Sequence, residues 1–405
     1  MKRTLIVGAM TCLLGLAVVN PTFAAQRGQA TMTWLGISAS ARDEAMGGTA
    51  TAGDASAACA FTNPAGLGRV ERGSVFFNTT SWLADMSVND VAVAYRVPDI
   101  GTFSFAFRSM DYGDFTFTTL FANEDGYVYT PSDSTGDVAG MMLGIGYGRK
   151  LTDKFSIGGQ LKYVSDKLGK MNVLDRGLNI VNFGEEANQS AMLFDFGTSY
   201  HTGWKSVTIN MTIQNFGRSQ KASNGVEEFT PPLTFKVGLQ ADALQFAGVE
   251  TPMADLLVRV EGADPRDDRL GFNTGAELTL KPMDMVNVAL RGGYSRRDQG
   301  GLTFGVGVGT NVGGFNTQLD WAYSDWGGVL GATNRLGVSF AFEQRRGGNL
   351  ARAESLPTPP SLLQTPVLKN CLLWLSSSPP CTLDSWYLCW IESSSYCRAD
   401  RSAPH

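Results

Sequence analysis

The sequence predicts an all-β fold, a single transmembrane antiparallel β-barrel of about 14 strands, and three observations lead to this prediction. Only 18% of the 405 residues are charged and 47 are glycine, whereas an ordinary soluble domain is about 25% charged. Beyond the first two dozen residues, no apolar run approaches the roughly 20 residues that a membrane-spanning helix requires. Between residues 73 and 342, apolar and polar residues alternate, as they do along strands whose two faces meet different surroundings.

Composition and charge exclude two further classes. The chain is 43% apolar and 10% aromatic, which excludes a chain that is disordered over its whole length. Its 33 Lys and Arg residues against 38 Asp and Glu residues give a formal net charge of −5. Because there is no basic excess to attract phosphates, we expect no nucleic-acid partner.

Residues 1–24 have the form of a secretory signal peptide. Lys2 and Arg3 precede an apolar core at 5–19, and Ala24 ends a Thr-Phe-Ala sequence that places small residues at the −3 and −1 positions of a cleavage site. An uncleaved membrane anchor is the alternative, but it needs a longer apolar core. We therefore predict export of the protein and, because the rest resembles a barrel, a place in the lipid of the bacterial outer membrane.

The alternation is clearest in five stretches, at 102–108, 207–214, 302–309, 315–324 and 335–342. In the first, Phe103, Phe105 and Phe107 share one face, and the other face is small or polar. A water-soluble sandwich, the alternative, would carry many charges on its outer face, whereas here the second face is mostly Gly, Ser, Thr, Asn and Gln. At about 19 residues for a strand and its turn, residues 73–342 divide into about 14 barrel strands.

The predicted connections differ between the two ends of the barrel. Tight turns are expected at 151–154, 202–203, 281–284 and 312–314, and longer polar insertions near 122–137, 167–189, 217–231 and 297–300. Bacterial barrels have short periplasmic turns and long outer loops in this manner. The last alternating strand carries Phe340 and ends at Phe342, the form of a terminal signal for the barrel assembly machinery.

The segment after the signal peptide carries an ordered series of motifs. It reads Ser-Ala-Arg-Asp-Glu-Ala-Met-Gly-Gly-Thr-Ala at 40–50, Gly-Asp-Ala-Ser-Ala at 53–57 and Asn-Pro-Ala-Gly-Leu at 63–67. Further fragments lie at 110–114, 147–153, 161–163, 214–217 and 264–269. From about residue 36 to Phe342, this series resembles the PorV/PorQ family, a branch of the FadL-like outer-membrane barrels.

The resemblance implies a 14-stranded barrel, here residues 73–342, whose N-terminal segment at 25–72 folds inward as a plug or hatch. The residues of the plug motif are Gly47, Gly48, Asp54, Asn63, Pro64, Ala65 and Gly66. Glycines permit backbone conformations that other residues avoid, and Asn-Pro starts a turn with a fixed φ, so the segment can wind through a narrow lumen. An ordinary exposed N-terminal linker is the alternative.

Charged residues on the polar faces of the predicted strands are candidate lumen charges: Arg108, Lys162, Glu277, Arg291 and Asp320. They could line a path through the barrel, or they could pair with one another and with plug residues such as Arg42, Asp43 and Asp54. Because buried charges are tolerated only when they are paired or hydrated, we prefer pairing.

No pattern in the sequence favours catalysis, a cofactor or a metal. Only two histidines occur, His201 and His405, and a serine nucleophile normally needs a histidine base, so a lipase would depend on His201. The glycine-rich stretch 305–309 lies within an alternating strand and not before a helix. The acidic run at 264–268 lacks the spacing of an EF-hand. We expect no enzyme, no catalytic residue, no cofactor and no metal site.

The resemblance leaves two functions open. PorV-like proteins belong to the type IX secretion system, so the first is a secretion-associated barrel that binds the C-terminal domains of cargo proteins and other components of that system. The alternative is a FadL-like uptake channel for long-chain fatty acids or other hydrophobic compounds. A continuous apolar pocket that reaches the plug would favour uptake, and a lumen filled by polar pairs would favour secretion. A barrel with a structural role alone is a third option.

Residues 343–405 depart from the pattern of the family. They contain no glycine after Gly348 and include four cysteines, Cys371, Cys381, Cys389 and Cys397. The spacings of these cysteines fit no zinc-binding pattern. A frameshifted or read-through end is the preferred explanation, and a genuine appended segment is the other; we expect this tail to be disordered.

Overall fold

In a computed structural model of the chain, the residues whose structure is described below are 30–52, 55–113, 116–123, 126–135, 138–170, 173–174, 180–181, 186–221, 228–249, 251–283, 285–296, 301–312, 315–327 and 330–342. The predicted signal peptide, Asp54 and the tail at 343–405 lie outside these residues. The predicted insertion at 297–300 lies entirely outside them, as do parts of those near 122–137, 167–189 and 217–231.

The strands of the described chain are β1 (Gly73–Ser81), β2 (Ser87–Val97), β3 (Gly101–Asp111), β4 (Thr116–Asn123), β5 (Gly126–Thr135), β6 (Ala139–Lys150), β7 (Phe155–Lys170), β8 (Val173–Leu174), β9 (Ile180–Val181), β10 (Glu186–His201), β11 (Thr208–Phe216), β12 (Gln220–Lys221), β13 (Glu228–Phe229), β14 (Thr234–Asp242), β15 (Ala254–Pro265), β16 (Gly271–Met283), β17 (Val286–Arg296), β18 (Leu302–Val312), β19 (Phe315–Asp325) and β20 (Ala332–Phe342). Fourteen of them form a closed barrel in the order β1-β2-β3-β6-β7-β10-β11-β14-β15-β16-β17-β18-β19-β20, and every neighbouring pair is antiparallel. The predicted fold class is confirmed.

The barrel closes between its first and last strands. Phe342 pairs with Gly73 and Asn334 pairs with Ser81, so β20 and β1 match along nine residues. The Phe342 ring also packs edge-on against Phe315, with 5.4 Å between ring centroids. The last alternating strand of the sequence therefore completes the cylinder, and its role as an assembly signal stays a prediction.

The two faces of the barrel wall have opposite character. Phe103 and Phe105 on the outer face are 47% and 52% exposed, whereas Ser104 and Arg108 on the inner face are 5% and 3% exposed. A soluble protein buries its apolar residues and exposes its charges. Along its strands this barrel does the reverse, since large apolar side chains face outward and charged side chains such as Arg108 are enclosed.

The lumen holds the N-terminal segment, residues 30–52 and 55–72, which we call the plug. It contains 3₁₀ helices at Thr33–Gly36, Ala57–Phe61 and Pro64–Arg69 and one short α-helix, α1, at Ala41–Ala45. The Ser40 hydroxyl caps α1 by accepting from the Asp43 N–H. Gly47 and Gly48 follow with φ of 74° and 76°, a conformation that suits glycine and turns the chain away from α1.

Connections of different length leave the two ends of the barrel. The long connections 112–138, 171–185 and 217–233 all leave the end where β1 finishes, because alternate connections in an up-and-down barrel share an end. The short connections between β6 and β7, between β16 and β17 and between β18 and β19 leave the other end, which also has a second helix, α2 (Ala243–Ala247), between β14 and β15. We call these the loop end and the turn end. Within the described chain, no helix is long and apolar enough to cross a membrane.

Candidate functional site

The plug meets the barrel wall in two chemically different regions. One, the ionic cluster, joins α1 to charged residues of β15, β16, β17, β19 and β20. The other, the apolar cluster, joins the rest of the plug to β1, β2, β3, β6, β7 and β10. Its buried wall residues are Phe76, Val88, Ala92, Ala94, Ala106, Met110, Met142, Val164, Ala191 and Leu193.

The ionic cluster begins with a chain of alternating charges. The Arg42 guanidinium of α1 donates to Glu277 through Nε at 2.6 Å and Nη2 at 2.5 Å. Glu277 also accepts from Arg291 Nε at 2.6 Å, and Arg291 Nη1 donates to Asp320 at 2.7 Å. Because each charge touches one of opposite sign, burial of Glu277, Arg291 and Asp320 and partial burial of Arg42 are tolerated.

The next two residues of α1 reach other strands. Asp43 accepts from Arg259 Nη1 at 2.8 Å, and Glu44 accepts from the Ser324 hydroxyl at 2.8 Å and lies 3.1 Å from Arg335. Burial raises the pKa of the Asp43 carboxyl, and the neighbouring Arg259 opposes that change. Three successive side chains of one helical turn thus fix the plug to three separate parts of the wall.

Glycines of the wall allow the plug backbone to approach closely. A Cβ atom on Gly275 would lie 2.3 Å from the Met46 carbonyl oxygen, and one on Gly293 would lie 2.2 Å from the Gly47 nitrogen. Gly158 and other glycines of β6, β7 and β10 likewise leave space for the turn at Asn63 and Pro64, because a Cβ atom on them would overlap it. The lumen-facing glycines of the alternating strands therefore make room for the plug.

The Asn-Pro motif is held by its side-chain amide. Asn63 Nδ2 donates to the Thr51 carbonyl at 2.9 Å and to the Thr198 carbonyl of β10 at 3.2 Å. Its Oδ1 accepts from the Ala65 N–H at 3.1 Å, so Asn63 begins the 3₁₀ helix that contains Pro64 and Gly66. The motif residues Gly47, Gly48, Asn63, Pro64, Ala65 and Gly66 are all buried.

The apolar cluster packs around the first part of the plug. Met32, Trp34 and Ile37 are buried there together with Cys59 and Leu67. Burial raises the pKa of the Cys59 thiol, which is typical of a packed cysteine and not of a reactive one. This part of the plug is therefore held mainly by packing.

Asp166 and Arg108 of the wall form hydrogen bonds with residues 34–37 of the plug. Trp34 Nε1 donates to Asp166 Oδ1 at 2.8 Å. Arg108 Nη1 donates to the carbonyls of Leu35 at 3.3 Å and Ile37 at 3.0 Å.

All five candidate lumen charges face the interior and contact partners of opposite charge. Besides the three in the ionic cluster, Arg108 lies 2.5 Å from Asp90 and Lys162 lies 2.8 Å from Asp195. The predicted partners Arg42 and Asp43 take part, and Asp54 is outside the described residues. Sequence reasoning missed Asp90, Asp195, Arg259, Glu44 and Glu261, whose carboxylate accepts from the Thr51 N–H of the plug at 2.8 Å. The strand residues among them also lie on polar faces with a period of two.

A cavity of about 170 Å³ remains between the plug and the wall near the turn end. Its lining includes Ser40, Arg42, Ser56, Gln318 and Ser339. Phe76, Ala55 and Ala58 also line this space, so its surface is about as apolar as it is polar, and it adjoins the ionic cluster.

His201 lies at the turn end of the barrel, and the acidic run at 264–268 lies where β15 ends. The His201 ring nitrogen Nδ1 lies 2.8 Å from the Thr208 hydroxyl at the turn end of the barrel. Among the described residues, no group of three or more His, Cys, Asp and Glu side chains is arranged to hold a metal ion.

Comparison with known proteins gives matches only at the level of solved structures. No protein-family profile matches the chain and no curated protein matches it, so membership of the PorV/PorQ family stays a prediction. The chain is similar to the toluene transporter TodX of Pseudomonas putida, with a TM-score of 0.48, 11% identity and coverage of 75% of this chain and 97% of that one.

The chain is also similar to two further solved structures. The monoaromatic hydrocarbon channel CymD has a TM-score of 0.44 at 10% identity, covering 75% of this chain and 97% of that one. A FadL homologue of Pseudomonas aeruginosa has a TM-score of 0.43 at 9% identity, covering 73% and 94%.

Proposed function

We propose that this protein is a plugged outer-membrane barrel that takes up hydrophobic compounds through the apolar side of its lumen. The observation that carries the proposal is the apolar cluster itself, an apolar surface enclosed within the barrel and covered by the plug residues Met32, Trp34 and Ile37. The apolar outer face of the wall supports the location in a membrane.

The position of the apolar cluster supports entry from the loop end. Met110 lies next to the loop end of β3, Met142 lies near the loop end of β6, and Val164 is in the loop-end half of β7. In an outer-membrane barrel the long loops face the cell exterior. A hydrophobic compound arriving from outside would therefore meet these three residues close to its point of entry.

The two parts of the plug differ in how easily they can move. Residues 30–37 contain no charged side chain, whereas α1 contributes three charges in a row. Separating buried ion pairs is costly, but apolar contacts can be exchanged for those of an apolar ligand. We infer that residues 30–37 yield to the ligand while α1 stays docked.

Uptake into liposomes that contain the purified protein tests the proposal. We expect a saturable influx of a hydrophobic compound such as toluene or a long-chain fatty acid, and we expect Val164→Asp to reduce it about tenfold or more, because a charge on the apolar surface repels the ligand. Val164→Ala, which keeps the surface apolar, is the matched control. Influx no faster than through empty liposomes would refute uptake.

Secretion is the second candidate, and the ionic cluster favours it. A lumen braced by polar pairs is suited to a barrel that stays plugged while its outer loops bind a protein, as the resemblance to the PorV/PorQ family implies. Retention of a type IX cargo C-terminal domain by the immobilised barrel tests this candidate. A cargo protein lacking that domain is the control, and equal retention of both would exclude specific binding.

A further inference from the structure

The indole of Trp34 lies on a defined floor in the wall. Strand register aligns Met110 of β3 with Gly140 of β6, and Gly140 with Asp166 of β7. A Cβ atom on Gly140 would lie 2.8 Å from Trp34 Cε2 and 2.9 Å from Cζ2. The ring therefore rests on the bare backbone of Gly140, with Met110 on one side and Asp166 on the other, and we call this place the Trp34 pocket.

The walls of the Trp34 pocket are mostly apolar. The next lumen-facing row places Met142 beside Val164. Met110, Met142, Val164 and Trp34 are all at most 4% exposed and belong to one cluster. A flat apolar group is thus enclosed by thioether and aliphatic side chains, a combination that packs well against aromatic rings.

Asp166 is the polar group of the Trp34 pocket that is directed at the ring, and buried Gln189 of β10 is its register neighbour on the side away from Gly140. Asp166 is 2% exposed, and its Oδ1 accepts the indole N–H at 2.8 Å. Two other buried carboxylates of the wall have a cation against them: Asp90 has Arg108 at 2.5 Å and Asp195 has Lys162 at 2.8 Å. In the described chain, Asp166 instead uses a neutral ring donor, so a ligand that displaces Trp34 must supply a donor or leave a buried carboxyl without one.

We propose that the Trp34 pocket is a binding subsite for aromatic compounds that carry an N–H or O–H donor, such as indoles and phenols, and that Trp34 occupies it in their absence. This inference rests on the proposed uptake function and names its substrate class. An aromatic hydrocarbon fits the apolar walls equally well, but it forfeits the hydrogen bond to Asp166. Sites that hydrogen-bond a ligand group discriminate strongly against an analogue that lacks it.

Binding to a Trp34→Gly variant tests the pocket without any transport. Indole and indene have the same shape and differ in the N–H, and their dissociation constants are measured by NMR on the full chain in detergent micelles. We expect indole to bind at least about tenfold more tightly than indene. Adding Asp166→Leu should reduce this ratio to less than about threefold, and Asp166→Asn, which keeps an acceptor, should restore part of it.

A control variant distinguishes binding in the Trp34 pocket from partition of the compounds into the detergent micelle. Trp82 lies at the loop end and packs against Trp326, so Trp82→Gly removes an indole elsewhere and should give no such preference. Folding of every variant is verified by the heat-modifiable migration of the barrel on gels. Equal binding of indole and indene by folded Trp34→Gly would overturn the inference, whatever the transport result.

Influx through the unaltered protein then distinguishes this inference from the proposed function. We expect indole influx to exceed indene influx by about tenfold after each is corrected for its rate through empty liposomes. If both compounds enter through the protein at equal rates, uptake stands and the assigned substrate class is wrong. If neither indole, indene nor a fatty acid enters faster than through empty liposomes, uptake itself is refuted and the inference falls with it.

Discussion

The ionic cluster and the apolar cluster hold the same plug by opposite means. In the ionic cluster, Arg42, Asp43 and Glu44 each need a particular partner at hydrogen-bond distance. In the apolar cluster, Met32 and Ile37 need only a surface of matching shape. Buried charges tolerate no loss of a partner, whereas apolar contacts can be replaced by other apolar groups. The ionic cluster therefore anchors the plug to the wall. The apolar contacts of residues such as Met32 and Ile37 can be exchanged for contacts with another apolar group.

If this comparison is correct, the part of the plug at the ionic cluster and the part at the apolar cluster detach from the wall independently. Hydrogen exchange of plug amides measures both in one experiment. The amides of Met46 and Gly47 donate within and after α1, and those of Leu35 and Ile37 donate within the first 3₁₀ helix. Each substitution below should affect one pair of amides and not the other, since they share no direct contact.

Glu277→Leu should have the largest effect, because it removes the carboxylate that Arg42 and Arg291 share. We expect the opening free energy at the Met46 and Gly47 amides to fall by about 3–5 kcal/mol, the usual cost of removing one member of a buried ion pair. The amides of Leu35 and Ile37 should change by less than about 1 kcal/mol.

An exposed ion pair on the same strands provides the control. Lys281 lies 2.5 Å from Asp255, and both side chains are almost half exposed. Lys281→Gln should change the same opening free energies by less than about 1 kcal/mol. If Glu277→Leu and Lys281→Gln lowered the opening free energy at the Met46 and Gly47 amides equally, burial of the charges would not decide how the plug is held.

Leu193→Ala should have the next largest effect, and on the other amides. Leu193 is fully buried in the apolar cluster, and truncating a buried leucine costs about 2–4 kcal/mol. We expect the opening free energy to fall by this amount at the Leu35 and Ile37 amides and to change little at the Met46 amide. Phe194→Ala, one residue further along and on the outer face, should leave all these amides unchanged. If the opening free energy fell as much at the Met46 amide as at the Ile37 amide, the ionic cluster and the apolar cluster would be coupled.

Gly293→Ala should have the smallest effect, again on the ionic side. The added methyl group would meet the Gly47 nitrogen at 2.2 Å, and overpacking of this kind costs about 1–3 kcal/mol. Gly292→Ala is a close control because a Cβ atom there meets no atom within 4 Å. Thermal unfolding and exchange at Gly47 should separate the two variants. Indistinguishable results would argue against close backbone contact between the plug and β17.

The strands were predictable because their signal is local. In β3 the alternation of Phe103 and Phe105 with Ser104 is complete within a few residues, and a strand sends successive side chains to opposite faces. The inversion of the usual pattern, with an apolar outer face, was also predictable, since the polar face carries so few charges. The five lumen charges were found by the same reasoning.

The partners of those charges were not predictable, because pairing depends on contacts far apart in the chain. Arg42 and Glu277 are separated by 235 residues, and no short-range pattern selects Glu277 over another carboxylate. The Trp34 pocket was missed for a similar reason. Neither Gly140 nor Asp166 is unusual until strand register brings them together under one ring.

The sequence by itself determined that this chain forms a barrel, which face of each strand is enclosed, and that small and charged residues line the lumen, because these follow from composition and a two-residue period. Only the tertiary structure decided how the lumen is shared between an ionic cluster and an apolar cluster. That division depends on the closure of the strands and on the path of the plug, and both are set by contacts between residues that lie hundreds of positions apart.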